Sequence, residues 1–279
     1  MEKSKERLQL LEKIAEFERK GLFNNDVEDD PETKELLPNK VDYLNKKLSS
    51  KIATFFANKI GDHYFGKMLK NKQAIIKEVK GIENFKKVEG GAIITSNHFH
   101  PFEQYAVFTA IRPYLNGRMF YKVIREGNYT NFPGLIGFFF RHCNTLPLSR
   151  NTETMRNFLK AMKVLLERGE KILVYPEQAM WWNYKKPRPL KDGAFKFAVT
   201  NNVPVVPCFI TMEDSDVLDP DGFYVQAYTI NILPPLYPDK NKTKAENISY
   251  MRDENYRLWK ETYEEFYKTK LVYETEEKK

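Results

Sequence analysis

A histidine and a glutamate five residues apart, His98 and Glu103, follow the apolar run 92–94. A carboxylate that orients an imidazole is the usual way to make a general base that takes a proton from an alcohol. Residues five apart point to different sides of a regular helix, so these two meet only if His98 lies in a strand-to-helix turn and Glu103 in the first helical turn. Pro101 is a residue type favoured at the first helical position. The spacing alone is also consistent with a histidine and a glutamate that only cap the helix.

The elements that must position this pair are short apolar runs alternating with helical periodicity from residue 81 onward. Such alternation favours an α/β fold. The predicted strands are 92–95, 119–123, 172–175, 205–210 and 224–233, and the predicted helices are 101–112, 152–168, 192–201 and 245–267. We expect one domain over residues 76–279, with a central mixed sheet flanked by helices.

An N-terminal helical extension is expected over residues 1–75, with amphipathic helices at about 4–20 and 41–70. The second helix mixes apolar side chains with lysines, and Gly61 is expected to divide it into two pieces. A basic amphipathic helix either lies in a membrane interface or packs its apolar face on the domain, and the sequence leaves both open.

The composition limits the class of protein. Lys and Arg outnumber Asp and Glu by 45 to 38, which suits an anionic membrane surface or an acidic carrier protein, and equally an ordinary lysine-rich surface. No apolar run reaches the ~18 residues of a membrane span, and no signal peptide is evident, so a cytoplasmic location is expected. Cys143 and Cys208 are expected to be reduced thiols. No metal site, cofactor or nucleic-acid partner is predicted.

The His98 motif is the first of four blocks that occur in the order typical of the glycerolipid acyltransferases. Block one of that family, Asn-His-x4-Asp, resembles Asn97-His98 with Glu103, and the resemblance covers roughly residues 81–235. The other blocks resemble the apolar segment from Gly134 to Arg150, the run Val174-Tyr175-Pro176-Glu177, and the run Val203-Pro204-Val205-Val206-Pro207 preceded by Lys191-Asp192-Gly193-Ala194-Phe195.

The resemblance implies transfer of a fatty acyl group from acyl carrier protein or coenzyme A to a lipid hydroxyl, without a covalent enzyme intermediate. The acceptor would be 1-acylglycerol 3-phosphate or a related lysolipid of phospholipid synthesis. His98 would be the general base and Glu103 would fix its tautomer. Lys122 and Arg150 match positions that bind the acceptor's phosphate, and Glu177 matches one that shapes the acceptor site. The enzyme would be peripheral on the inner face of the cell membrane.

The sequence departs from the family pattern in two places. Glu103 stands where Asp is usual, which keeps the charge. Gln178-Ala179-Met180 replaces the family's Gly-Thr-Arg, so an arginine that grips phosphate is missing. Three readings follow: a nearby cation supplies the charge, the acceptor is a non-phosphate molecule such as a glycolipid, or the protein is a decayed acyltransferase that only binds lipid. The candidate cations are Lys185, Lys186 and Arg188.

Two aromatic segments have two interpretations each. Trp181 and Trp182 either lie at a lipid interface, or stack on a sugar, or belong to the core. The stretch 132–140 is either an acyl-chain groove or membrane-facing edge, or, as we expect, a buried core helix.

Overall fold

The computed structural model describes residues 2–29 and 32–275. Its helices are α1 (Lys5–Arg19), α2 (Leu48–Lys70), α3 (Ile82–Lys86), α4 (Glu103–Ile111), α5 (Glu126–Thr130), α6 (Gly134–His142), α7 (Thr152–Glu167), α8 (Gly193–Asn201) and α9 (Lys244–Tyr267). Its strands are β1 (Ile75–Lys80), β2 (Ala92–Thr95), β3 (Phe120–Ile124), β4 (Thr145–Pro147), β5 (Lys171–Val174), β6 (Val205–Leu218) and β7 (Tyr224–Ile232).

The strands form one sheet in the order β1-β7-β6-β2-β5-β3-β4. Neighbouring strands are parallel except for β6 and β7, which form an antiparallel pair. This architecture confirms the predicted α/β fold with a central mixed sheet. All five predicted strands are present, whereas β1 and β4 were not predicted.

Helices cover both faces of the sheet, because the central strands carry apolar side chains on both sides. Every residue of β2 is buried, which is typical of a parallel strand between two helical layers. Ile93 packs in the cluster that contains Phe158 of α7 and Phe195 of α8. Ile94, on the opposite face, packs in the cluster that contains Val107 of α4.

The parallel strands β2, β5, β3 and β4 all end at one edge of the sheet. Thr95 pairs with Val174, and Lys122 pairs with both Leu173 and Thr145. The segments that leave these strands therefore converge at their carboxyl ends, where open α/β sheets usually bind ligands. The four sequence blocks run through or follow strands of this group and the adjacent β6.

The N-terminal segment packs against the loop that follows β5. Trp181 and Trp182 are buried there at 0% and 5% exposure, in a cluster with α1 and the segment after it. Trp181 Nε1 donates to the Asn25 carbonyl at 2.9 Å. Of the interpretations offered for these tryptophans, the structure therefore supports core aromatics.

Helix α2 is continuous, so the prediction that Gly61 divides it is wrong. Gly61 is buried, and a Cβ placed there would lie 3.7 Å from Cys143 Sγ, next to α6. Packing of α2 on α6 thus keeps the helix intact through this glycine. The helix begins seven residues later than predicted, because residues 41–47 precede it as irregular chain.

Both α2 and α6 expose large apolar side chains. On α6, Leu135 and Ile136 are 52% and 59% exposed, so the expectation of a fully buried core helix at 132–140 is wrong. We use the name α2–α6 surface for the exposed apolar residues of the two helices, Leu48, Ile52, Phe55, Phe56, Ile60, Leu135 and Ile136.

No helix among residues 2–29 and 32–275 combines the length and the apolar composition needed to cross a bilayer.

Candidate active site

The turn after β2 is fixed by the side chain of Asn97. Its Nδ2 donates to the Ile210 carbonyl at 3.0 Å, and its Oδ1 accepts from the Ile210 backbone N–H at 2.8 Å. Ile210 lies in β6, so this amide pair joins the turn to the neighbouring strand. In the sequence, Asn97 is only part of a motif. In the structure, its side chain fixes the position of the next residue, His98.

His98 and Glu103 meet as the spacing predicted. His98 Nδ1 lies 2.5 Å from Glu103 Oε1, with Glu103 at the first position of α4. The Glu103 side chain is 1% exposed and the His98 side chain 22%. Pro101 differs from the prediction, since it lies in a turn two residues before the helix begins.

The pair leaves one ring nitrogen available for chemistry. An ionised carboxylate accepts from Nδ1–H, which places the lone pair of a neutral imidazole on Nε2. His98 Nε2 has no hydrogen bond to any residue that the structure describes, and the ring is partly open to solvent. This arrangement can remove a proton from a bound hydroxyl group.

Glu177 and Arg188 hold the backbone of His98 on both sides, and we call this pair the His98 clamp. Glu177 Oε2 accepts from the His98 N–H at 3.0 Å and from Arg188 Nη2 at 2.9 Å. The His98 carbonyl accepts from Arg188 Nη2 at 3.2 Å and from Trp181 N–H at 3.1 Å. Both clamp side chains are buried, so the carboxylate of Glu177 is directed onto the turn.

Two of the three cations near block three are engaged within the fold. Arg188 also donates from Nη1 to the Phe23 carbonyl at 3.1 Å and is 1% exposed. Lys186 pairs with Glu18 at 2.5 Å, whereas Lys185 only lies over the ring of Tyr267. The structure therefore argues against phosphate binding by Arg188 and Lys186.

Tyr175, the residue that leaves β5, forms one wall of the His98 ring. The two rings are stacked, with centroids 4.0 Å apart and planes inclined by 12°. Burial raises the pKa of Tyr175 well above its ordinary value, and the charge of Glu103 adds to this rise. The sequence marked Tyr175 only as the aromatic residue of block three.

Lys122 lies in β3, two strands from β2 and thus about 10 Å across the sheet. Its ammonium group has no hydrogen bond or ion pair with the residues that the structure describes. Burial lowers the pKa of Lys122, while Cys143 beyond α6 and Asp62 of α2 act in the opposite direction. A poorly solvated cation at this edge suits an anionic group of a ligand.

Arg150 follows β4, one strand further from His98, and is held at the periphery. Its Nε lies 3.3 Å from Glu126 Oε2, and its Nη2 donates to the Thr33 carbonyl at 2.9 Å. Burial would raise the pKa of Glu126, but hydrogen bonds from Leu36 N–H, Ser149 and Arg150 outweigh it and lower that pKa. The Arg150 side chain remains 72% exposed.

The structure thus brings His98, Glu103 and Glu177 into direct contact, and places Lys122 and Arg150 along the same edge of the sheet. In the part of the chain that the structure describes, no three His, Cys, Asp or Glu side chains converge in the manner of a metal site.

Comparison with known proteins supports the resemblance found in the sequence. Residues 77–211 match the family model described as Acyltransferase. This match confirms the resemblance to the glycerolipid acyltransferases inferred from the four blocks. No curated protein matches the sequence. The chain is similar to the solved 1-acyl-sn-glycerophosphate (LPA) acyltransferase PlsC from Thermotoga maritima, at 19% identity and a TM-score of 0.49, covering 82% of this chain and 86% of that one.

Proposed function

We propose that the protein transfers a fatty acyl group from acyl carrier protein or coenzyme A to the free hydroxyl of 1-acylglycerol 3-phosphate or a related lysolipid. The observation that carries the proposal is the 2.5 Å contact between His98 Nδ1 and Glu103. In the described part of the chain, Nε2 has no hydrogen-bond partner at the carboxyl edge of the sheet. A decayed, purely lipid-binding protein would have no need of this pair.

The reaction follows from the chemistry of that pair. His98 Nε2 takes the proton of the acceptor hydroxyl as its oxygen forms a bond to the thioester carbonyl carbon. Glu103 stabilises the imidazolium through Nδ1–H. As the tetrahedral intermediate collapses, the carbon–sulfur bond breaks and the imidazolium returns its proton to the departing thiolate. The products are an ester and a free thiol.

Lys122 is proposed to bind the phosphate of the acceptor. It has an unpaired ammonium group at the edge where His98 lies, and phosphate binding would compensate for its poor solvation. Arg150 is proposed to contribute from the periphery, where its exposed guanidinium keeps donors free for a headgroup.

The missing arginine of block three favours a second candidate acceptor, a glycolipid or another alcohol without phosphate. Met180 stands in its place, and two of the three neighbouring cations, Lys186 and Arg188, form ion pairs within the fold. A competition assay with equal amounts of lysophosphatidate and glycolipid acceptors separates the two. A clear preference for lysophosphatidate would exclude the second candidate.

Attachment to an anionic membrane surface is proposed for the α2–α6 surface. Phe55 and Phe56 are more than half exposed, and the exposed lysines Lys51, Lys59 and Lys67 lie on the same helix. Apolar side chains combined with lysines give an interfacial helix both burial in the acyl region and attraction to anionic headgroups. The proposed location is the inner face of the cell membrane.

The direct test incubates the purified protein with acyl-CoA or acyl carrier protein and lysophosphatidate, and detects phosphatidate by mass spectrometry. His98→Ala is the matched variant, and we expect its rate to fall by about 10³-fold or more with the fold retained. Full activity in folded His98→Ala would exclude the mechanism. Absence of product with the wild type would exclude lysophosphatidate as the acceptor.

A further inference from the structure

Tyr175 contacts both members of the His98–Glu103 pair but takes no part in the reaction proposed above. Its ring stacks on the imidazole with centroids 4.0 Å apart. A nearly parallel aromatic ring at this distance restricts rotation of the imidazole about its Cβ–Cγ bond. The tyrosine ring therefore helps to determine where Nε2 points.

Two buried polar atoms beside this stack have no hydrogen-bond partner among the residues that the structure describes. They are Glu103 Oε2, the carboxylate oxygen that does not bind His98, and the hydroxyl oxygen of Tyr175. One is an acceptor that needs a donor and the other is a donor that needs an acceptor, so each can satisfy the other. Buried polar groups without partners are rare because they cost stability.

The charge of Glu103 acts directly on this hydroxyl. Burial is the largest cause of the raised pKa of Tyr175, followed by the charge of Glu103. The hydroxyl thus stays protonated near neutral pH and available as a donor.

We propose that Tyr175 is a positioning residue whose hydroxyl donates to Glu103 Oε2 while its ring fixes the plane of the His98 imidazole. The proposal rests on the role of His98 as general base. With one oxygen bound to His98 and the other to Tyr175, the carboxylate cannot rotate away from Nδ1.

Around the pair, Glu177 and Arg188 of the His98 clamp form an ion pair with each other, whereas Tyr228, His100 and Cys208 are uncharged near neutral pH. Tyr228 of β7 has its pKa raised by burial and by Glu103. Burial lowers the pKa of His100 and raises the pKa of the Cys208 thiol in β6 to about 12. Tyr228 makes no hydrogen bond to Glu103, so Tyr228→Phe is a matched control that removes a buried hydroxyl near the same carboxylate.

The test compares Tyr175→Phe with Tyr228→Phe by NMR titration of the imidazole nitrogens in ¹⁵N-labelled protein. The chain has four histidines, and His98→Ala identifies the His98 signal. We expect the pair to take up its first proton at a pH higher by about half a unit or more in Tyr175→Phe, because a carboxylate without its second donor binds a proton more tightly. The control should titrate like the wild type.

The kinetic readout should move in the same direction. In Tyr175→Phe the acid limb of the pH–rate profile should shift to higher pH and kcat should fall about tenfold, the effect of losing one hydrogen bond to a charged group, with KM for the acceptor unchanged. An unchanged titration in Tyr175→Phe, or an equal shift in Tyr228→Phe, would overturn the proposal. The titration needs no substrate, so it remains decisive even if lysophosphatidate is not the acceptor.

Discussion

The backbone groups and ring Nδ1 of His98 are paired inside the protein, whereas the apolar side chains of the α2–α6 surface lie uncovered outside it. Around His98, the backbone N–H and carbonyl and the ring Nδ1 each have a partner. On α2, Phe55 and Phe56 are 56% and 54% exposed.

The groups that orient His98 are all supplied by the protein itself, whereas the apolar side chains of the α2–α6 surface have no covering partner within the described part of the chain. A catalytic group is most effective when its partners hold it in place before the substrate arrives. Exposed apolar side chains on two packed helices instead form the surface for which we propose attachment to a membrane. Lys122 lies between the two regions, since its electrostatic neighbours are Asp62 of α2 and Cys143 beyond α6.

Breaking the His98 clamp should have the largest effect on stability. Arg188→Met leaves Glu177 buried without its ion-pair partner, and we expect the free energy of unfolding to fall by about 3 kcal/mol or more. Urea denaturation measures it, with Arg257→Met as the control. Arg257 pairs with two glutamates at the surface of α9. The free energy of unfolding should therefore fall far less in Arg257→Met. Equal losses would show that the clamp is no more important than a surface pair.

Lys122→Met should affect acceptor binding more than stability. If the ammonium binds phosphate, KM for lysophosphatidate should rise about tenfold, as expected for a lost charge-assisted hydrogen bond. Steady-state kinetics at neutral pH measure this. An unchanged KM would instead favour the acceptor without phosphate.

The pH dependence of the same KM sharpens this prediction. Because burial lowers the pKa of Lys122, its positive charge is present at low pH and is lost as the pH rises, earlier than for an exposed lysine. The wild-type KM should therefore rise toward alkaline pH, and Lys122→Arg should delay that rise. A KM that does not vary with pH would contradict a role for this ammonium group.

Phe55→Ser should weaken binding to vesicles of anionic phospholipid by about 30-fold, since a buried phenylalanine side chain contributes ~2 kcal/mol. Cosedimentation with vesicles measures it. Leu159→Ser is the control, because Leu159 is 45% exposed on α7, and it should bind like the wild type. Neither variant should alter the unfolding transition, and equal binding by both would contradict the proposed attachment.

Gly61→Ala should have the smallest effect, a gain of about 0.5–1 kcal/mol in the free energy of unfolding. Alanine has the higher helix propensity, and a Cβ at this position meets only Cys143 Sγ at 3.7 Å, an ordinary contact. Thermal unfolding measures it, with Gly66→Ala, where a Cβ meets nothing within 4 Å, as a comparison. A loss of stability at Gly61 would show that α2 and α6 are packed more tightly than this geometry indicates.

The sequence was sufficient to predict those elements and contacts that a local pattern of residues determines. β2 was predictable because three of its four residues, 92–94, form a continuous apolar run. The His98–Glu103 contact was predictable because a strand-to-helix turn is the arrangement that lets residues five apart meet. β1 escaped prediction because its last four residues are exposed and only partly apolar, and β4 because it has three residues.

The sequence was insufficient to predict the role of a residue that depends on contacts with a distant segment of the chain. Arg188 was a candidate for phosphate binding because nothing in its neighbourhood reveals that it reaches Phe23, 165 residues earlier. The position of Trp181 in the core was equally hard to predict, because its indole donates to the carbonyl of the distant Asn25. Gly61 was expected to break α2 because helix propensity is local, whereas the packing that overcomes it comes from α6.

The contacts of Phe23 and Asn25 have a practical consequence for anyone who shortens this chain. The segment that matches the family model begins at residue 77, yet Phe23 and Asn25 bind Arg188 and Trp181, both of which hold the His98 carbonyl. A fragment trimmed to the matched boundaries would retain the histidine and the glutamate but lose part of the shell that orients them. Inactivity of such a fragment would therefore reveal nothing about the reaction of the intact enzyme.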